Sequence, residues 1–328
     1  VPGVSANISA LAANWRLLKS MTAGDCAAVV KANAYGLGID TVAPALASAG
    51  CRTFFVAHTQ EGVKLRERLR DVTIIVLHGA HEPKLLKEFN LIPCLNGPQD
   101  LHWSGPAWLH VDTGMNRLGF AFGEAPESLK PIGIMSHLAC SDEREHHMNV
   151  EQLKKFRAVR AHYAGIPASF ANSSGVFLGP HYHFDLLRPG VALYGVNPSP
   201  WQDNPMQRVV SVQVPVLQTH TIQAGETVGY SATWMAERTT KLATIECGYA
   251  DGLLRSLSGR GFAALHGVTV PFAGRVSMDT IVLDVTDAPP VHVGDTAELI
   301  GEHISVDDVA TAAGTIGYEV LTSLKVRD

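Results

Sequence analysis

Cysteine is scarce and unpatterned in this chain. Its five copies, Cys26, Cys51, Cys94, Cys140 and Cys247, form no CxxC pair, and an odd number argues against a complete disulfide frame. Three of them sit inside apolar runs and read as small core residues of a reduced, cytosolic protein. Long hydrophobic runs are missing too. No apolar stretch reaches the ~18–20 residues of a membrane span, so no membrane partner is expected. No basic segment leads into an apolar one near the first residue, so a secretory signal is not expected either. Positive charge is thin: 26 Lys and Arg against 31 Asp and Glu leave −5, with no dense basic stripe. That argues against nucleic acid as a partner.

What is present is an ordinary globular composition, 46% hydrophobic and 17% charged over 328 residues. The length suits one large domain with a smaller second one. Apolar runs recur through the first two thirds: AAVVK (27–31), TFFVA (53–57), TIIVLH (73–78), LIPCL (91–95), AWLHVD (107–112), IGIMSH (132–137), ASFAN (168–172) and FDLLRPG (184–190). Each is continuous rather than alternating, as in a strand covered on both faces. Helical spacing marks segments 40–50, 59–70 and 149–165 between them. Repeated strand–helix alternation predicts an α/β fold, a (β/α)8 TIM-type barrel over residues 1–207. The fourth and fifth units have the shortest connecting helices.

The pattern changes at residue 208. Segments 208–222, 240–248, 261–274, 280–285 and 295–301 alternate and are separated by Gly/Pro turns. They predict a mainly β C-terminal domain over 208–328, with one helix at 305–314 capped by Ser305.

Catalytic groups of a barrel sit at the C-terminal ends of its strands. Those ends read Lys31, His110 with Asp112, His137, Asn172 with Ser173, and Arg188. Lysine is rarely buried unless paired. A partly desolvated amine loses proton affinity and becomes a nucleophile toward carbonyls, although a lysine that snorkels to the rim gives the same pattern. Tyr35 follows a few residues into the next turn. The ends of strands seven and eight are the usual phosphate site of barrels. There "ANSSG" (171–175) opens a helix and Gly190 permits close backbone approach; a simple N-cap reads the same way. A lysine on strand one with a phosphate cradle after strands seven and eight suggests pyridoxal 5'-phosphate.

The stretches VVKANAYGLG, VDTGMNRLGF, SHLACSDE, ANSSG, LLRPGVALYG, VGYSATW, CGYADG, GRVSMD and GYEV resemble the signature segments of the alanine racemase family, in that family's order. The resemblance implies a two-domain, fold-type III pyridoxal-phosphate enzyme that acts on a small amino acid as a head-to-tail homodimer with shared active sites. Lys31 would bind the cofactor's aldehyde. Tyr35, Ser173, Tyr318 and the backbone of Gly190 and Val191 would hold its phosphate, with Asn172 beside them. Arg188 would face the pyridine nitrogen, with His137 alongside. Arg117 would meet the phenolic oxygen and the substrate carboxylate, and the N–H of Met278 would take that carboxylate too. Tyr249 and Tyr318 would narrow the entrance. Tyr230 of the partner subunit would be the second base. No metal is implied.

Opposed bases suit racemisation, which removes a proton from one face of Cα and returns one to the other. A tyrosine needs positive neighbours to act near neutrality, and Arg188 and His137 are the candidates. An arginine at the pyridine nitrogen also implies a weaker electron sink and suppressed transamination. On the residues alone, plain readings exist: Tyr230 as a strand tyrosine, Tyr249 as turn packing, Met278 as core, Arg117 as a partner of Asp112. Several departures stand out. Many members have a carbamylated lysine seven residues before the arginine of DTGMNR, where this chain has His110. Leu37 replaces a frequent histidine, the connection from Arg117 to His137 is short, and the chain ends at LKVRD. A serine or broad-specificity racemase of the same family is the main alternative. A fold-type III decarboxylase would carry a carboxylate at the position of Arg188. A non-enzymatic pyridoxal-phosphate carrier would lack the second domain.

Overall fold

The computed structural model describes residues 3–324; the last four residues of LKVRD lie outside that range. Two compact units form. One is Ile8–Gln207; the other joins the residues up to Asn7 to those from Arg208 onward. The division falls between Gln207 and Arg208, and the first strand belongs to the second unit, not to the barrel. Gly3–Ala6 pairs antiparallel with Val210–Gln213. A four-residue segment without an alternating pattern of its own carries no signal for such a distant partner.

The first unit is a closed barrel of parallel strands. These are β1 (Asp25–Cys26 and Ala28–Val29), β2 (Thr53–Val56), β3 (Thr73–Val76), β4 (Ile92–Leu95), β5 (Trp108–Asp112), β6 (Gly133–Met135), β7 (Ala168–Ser169) and β8 (Leu186–Leu187). Neighbours pair in sequence order from β1 to β7. Closure comes from β8 pairing with β1 (Leu187 opposite Cys26). On its other side, the N–H groups of Asp185 and Arg188 donate to the carbonyls of Ala168 and Ala171 at 2.9 and 3.0 Å.

The strands are buried on both faces because helices cover them outside: α1 (Ile8–Ser20), α2 (Ile39–Ala49), α3 (Thr59–Arg68), α4 (Pro83–Glu88) and α5 (His147–His162). The helix expected at 149–165 thus begins and ends slightly earlier. After β4 only a 3-10 turn at Pro98–Asp100 follows, in line with the short fourth connection. Aromatic packing fills the core. Phe156 stacks on Phe170 at 4.7 Å, and Trp108 presses on Gly133 so closely that an added Cβ would come within 2.3 Å of its indole.

In the second unit β9 (Val210–Ile222) is the spine. Its burial alternates over its first half, as a half-buried strand requires. That half pairs with Gly3–Ala6 and Thr296–Ile300, its second half with Thr240–Ile245, all antiparallel. Ile281–Asp284 and the hairpin Phe262–Leu265/Val268–Pro271 complete the sheet. Two helices follow, α6 (Val306–Ala313) and α7 (Gly317–Ser323). Ser305 caps α6 as expected: its Oγ accepts the N–H of Asp308 at 3.1 Å. The five cysteines are free, and all but Cys140 are buried. No helix among the described residues is long and apolar enough to cross a membrane.

Candidate active site

Lys31 ends the first barrel strand and is half-buried. The backbone beyond it is unusual. Ala32, Asn33, Ala34 and Tyr35 all take left-handed φ values, 53°, 52°, 55° and 56°. Each costs roughly 1–2 kcal/mol for a residue with a Cβ. Local bonds offset this strain: the N–H of Ala34 donates to the carbonyl of Val30 and that of Gly36 to Ala32, both at 2.9 Å. Asn33 Oδ1 accepts from Ile39 at 3.0 Å. Glu61, from the first turn of α3, accepts the N–H of Ala32 at 2.6 Å with one oxygen and that of Ala57 at 2.7 Å with the other. Such strain persists where the surroundings over-determine it, often at functional sites. Here it sends the chain sharply away after Lys31 and seats Tyr35 in the interior. Burial lowers the proton affinity of the Lys31 amine, the Arg117 charge lowers it further, and Glu61 opposes both.

Arg188, at the end of β8, is only 4% exposed. It donates to the Ser136 carbonyl and the Ser169 hydroxyl, both neutral, and lies over the Phe55 ring at 5.8 Å. Burial lowers its pKa to about 10, so it stays cationic near neutrality. His137 follows β6. Burial, then Arg188 and Arg117, push its pKa well down. His137 is therefore neutral and cannot supply the positive charge expected of it for Tyr230; burial is the main reason, and the nearby arginines add to it. Gln152 of α5 fixes this rim, donating to the His137 carbonyl at 2.9 Å and to Thr113 Oγ1 at 3.2 Å.

A cradle forms between the ends of β7 and β8. Ser173 Oγ accepts the N–H groups of Gly190 and Ala192 at 2.9 and 3.2 Å. With its lone pairs so engaged, its O–H is left to donate. Val191 opens the 3-10 turn Val191–Tyr194, and its N–H makes no hydrogen bond among the described residues. Tyr35 lies against Gly190: an added Cβ there would come within 2.2 Å of the phenol oxygen. Tyr194 stacks on Tyr35 at 4.7 Å and donates to the Val29 carbonyl at 3.1 Å. Asn172 serves as a cap, its Oδ1 accepting from the N–H of Gly175 and from Ser141 Oγ, both at 2.9 Å.

The second unit gathers its own candidates on linked loops. Tyr230 is 70% exposed on a turn with left-handed Gly229, Ser231 and Ala232 (73°, 62°, 47°), not within a strand. Arg275 donates to Ser231 Oγ at 3.0 Å. Three residues on, the loop meets Tyr249: the Tyr249 N–H donates to the Ser277 carbonyl and that of Ala250 to Met278, both at 3.0 Å. Gly248 presses so closely that an added Cβ would lie 2.1 Å from the Met278 carbonyl. Met278 is exposed, not core, and its N–H makes no hydrogen bond among the described residues. Tyr318 lies on α7, whose end packs on Gly252 of the same loop cluster. Tyr318 and Tyr249 are exposed as well.

A family profile for the alanine racemase N-terminal domain matches residues 6–198, and one for the C-terminal domain matches 209–327. The alanine racemases of Rhizobium meliloti (strain 1021) and Acidiphilium cryptum (strain JF-5) are 44% and 45% identical; the matches span 98% and 99% of this chain and 94% and 97% of theirs. This chain belongs to the alanine racemase family. The alanine racemase of Bartonella henselae, solved with covalently bound pyridoxal phosphate, superposes with a TM-score of 0.92 at 41% identity, over 98% of this chain and 97% of that one. The enzyme of Pseudomonas aeruginosa, described as biosynthetic, gives 0.92 at 34% identity, over 99% and 97%.

Within this alanine racemase fold, Lys31 follows β1 with Tyr35 in the next turn, Ser173 opens the short helix after β7, and Arg188, Gly190 and Val191 follow β8. Glu61, Asn96, Ser136, Ser169, Gln152 and Tyr194 were not anticipated. Of these, Asn96 has a signal in the sequence, as the polar residue that directly follows LIPCL. The residues present fit pyridoxal phosphate. An amine of lowered proton affinity suits an aldehyde, the cradle with a Ser173 donor and the Val191 N–H suits a phosphate, and Arg188, whose described partners are neutral oxygens, suits a ring nitrogen acceptor.

Proposed function

We propose that this chain interconverts L- and D-alanine by a two-base mechanism, with Lys31 on one face of the substrate Cα and Tyr230 of the partner subunit on the other. The observation that carries the reading is a lysine of lowered proton affinity on β1 in the same barrel mouth as an arginine held by neutral oxygens on β8. When bound, pyridoxal phosphate supplies an aldehyde that joins the substrate amine and a ring that accepts the electron pair left at Cα. The protein does the rest. Ser173, Tyr35 and the N–H of Val191 would hold the phosphate. Lys31, whose proton affinity desolvation lowers, would bind the aldehyde, and its amine would be the base on one face of the substrate Cα. Arg188 would donate to the ring nitrogen and keep its own proton: a pKa of about 10 leaves only about one part in a thousand deprotonated at neutrality. A donor that keeps its proton would leave that nitrogen unprotonated, make the ring a weaker electron sink and disfavour transamination.

Arg117 and the free N–H of Met278 take the carboxylate. Tyr230 and Met278 stand exposed on joined loops of the β unit, which suits a surface that completes a second copy's barrel mouth. A homodimer with shared sites follows. We place the enzyme in the cytoplasm, where it serves peptidoglycan synthesis or alanine catabolism. Chiral analysis of products from a panel of amino acids tests the reading. Alanine interconverted well above serine supports it; a visible lysine-linked cofactor band without any interconversion overturns it in favour of a carrier.

A further inference from the structure

His110 occupies β5 and is buried. Its Nδ1 stands 2.8 Å from Asn96 Oδ1. The orientation of that carboxamide is set by its other end, where Nδ2 donates to the Leu77 carbonyl at 2.8 Å. The backbone of Asn96 is anchored as well, its N–H donating to buried Asp100 Oδ2 at 2.7 Å. Asn96 Oδ1 can only accept, so the proton of the imidazole resides on Nδ1. In the neutral ring, Nε2 then carries the lone pair.

That edge of the ring faces the loop that bears Arg117. Val111 pairs with Phe120, and at Gly119 (φ 111°) an added Cβ would lie 3.2 Å from His110 Cδ2, the carbon bonded to Nε2. Asp112, the nearest carboxylate in sequence, makes no bond to Arg117 among the described residues and holds its own turn instead: its Oδ1 accepts the N–H groups of Gly114 and Met115, both at 2.8 Å. Arg117 makes no hydrogen bond or ion pair among the described residues. We propose that His110 is the positioning residue for Arg117: once a substrate carboxylate draws the guanidinium in, Nε2 accepts one of its N–H groups and holds it there, with Asn96 as the lock on the tautomer. Burial and the charges of Arg188 and Arg117 keep the ring neutral against the pull of Asp112. The proposal rests on the functional reading above, because it needs a carboxylate substrate.

Two substitutions separate the ring nitrogens. In His110→Asn the new amide reaches only the Nδ1 position; in His110→Gln it reaches the Nε2 position and offers Arg117 an oxygen. His110→Asn is expected to raise KM for alanine about tenfold, the worth of one hydrogen bond to a charged donor, with kcat nearly unchanged. His110→Gln should stay close to native. Equal KM values for the two variants, whether native or raised, overturn the proposal. Nitrogen-15 NMR of histidine-labelled holoenzyme provides a readout independent of turnover. A protonated Nδ1 and bare Nε2 at His110 are expected, and Nε2–H overturns the proposal even where a variant fails to fold. Native enzyme that turns over alanine yet shows Nε2–H defeats this role alone. The expected tautomer in a protein that leaves alanine untouched defeats the functional reading instead.

Discussion

Gly190→Ala strikes the phosphate cradle at its tightest point. A Cβ there would lie 2.2 Å from the Tyr35 phenol oxygen and 3.0 Å from its Cζ, about 1.2 Å inside ordinary contact for the oxygen. Tyr35 has little room to retreat: it is 5% exposed and stacked on fully buried Tyr194 at 4.7 Å. Overpacking of this kind costs typically 1–3 kcal/mol. The displaced phenol would also withdraw from the phosphate, and the Gly190 N–H would shift from Ser173 Oγ. Loss of one to two charge-assisted hydrogen bonds predicts cofactor affinity lower by roughly 10–100-fold. The assay is titration of apoenzyme with pyridoxal phosphate, followed by absorbance, beside urea unfolding of the apo form. Adding Tyr35→Phe removes the worst contact. The double variant should regain stability but not cofactor affinity. Native affinity in Gly190→Ala would refute the reasoning.

Other outcomes follow from the same structure. Burial holds His110 at about 4, against an ordinary 6.5. The unfolded chain therefore binds a proton between those values that the folded chain refuses, and stability should rise with pH across that window by up to about 3 kcal/mol; urea unfolding of the native protein and His110→Asn checks that the slope belongs to this residue. The lowered Lys31 pKa has the same sign: stability should climb with pH as the folded amine deprotonates, until the unfolded lysine does so near 10.5, and Lys31→Met should flatten the climb. Arg188→Glu would offer the ring nitrogen a carboxylate and should raise transamination relative to racemisation; a partition that does not move contradicts the role given to Arg188. Glu61→Gln weakens the anchors on Ala32 and Ala57 and should cost roughly 1–3 kcal/mol, read by chemical denaturation, with a weaker lysine-linked absorbance band.

The barrel was legible because its strands are buried on both faces and so form unbroken apolar runs. The β unit was legible because its strands alternate. What escaped notice depends on partners far along the chain. Gly3–Ala6 finds its place only beside Val210–Gln213. Glu61 looks like an ordinary first-turn acid of an amphipathic helix, yet it holds the backbone after Lys31. The left-handed run at Ala32–Tyr35 contradicts local propensity, since two alanines prefer the right-handed helix. Context over-rides that preference at the very place where the chemistry is proposed. His137 reads as a charged histidine until its burial, and then two arginines, are seen around it.

The sharpest test of shared, two-base sites is subunit mixing. Lys31→Ala and Tyr230→Phe homodimers should each be nearly inactive. Dimers reassembled from an equal mixture should recover about a quarter of native activity, because each mixed dimer of two-fold symmetry carries one intact site. A mixture as inactive as its parents would contradict the account.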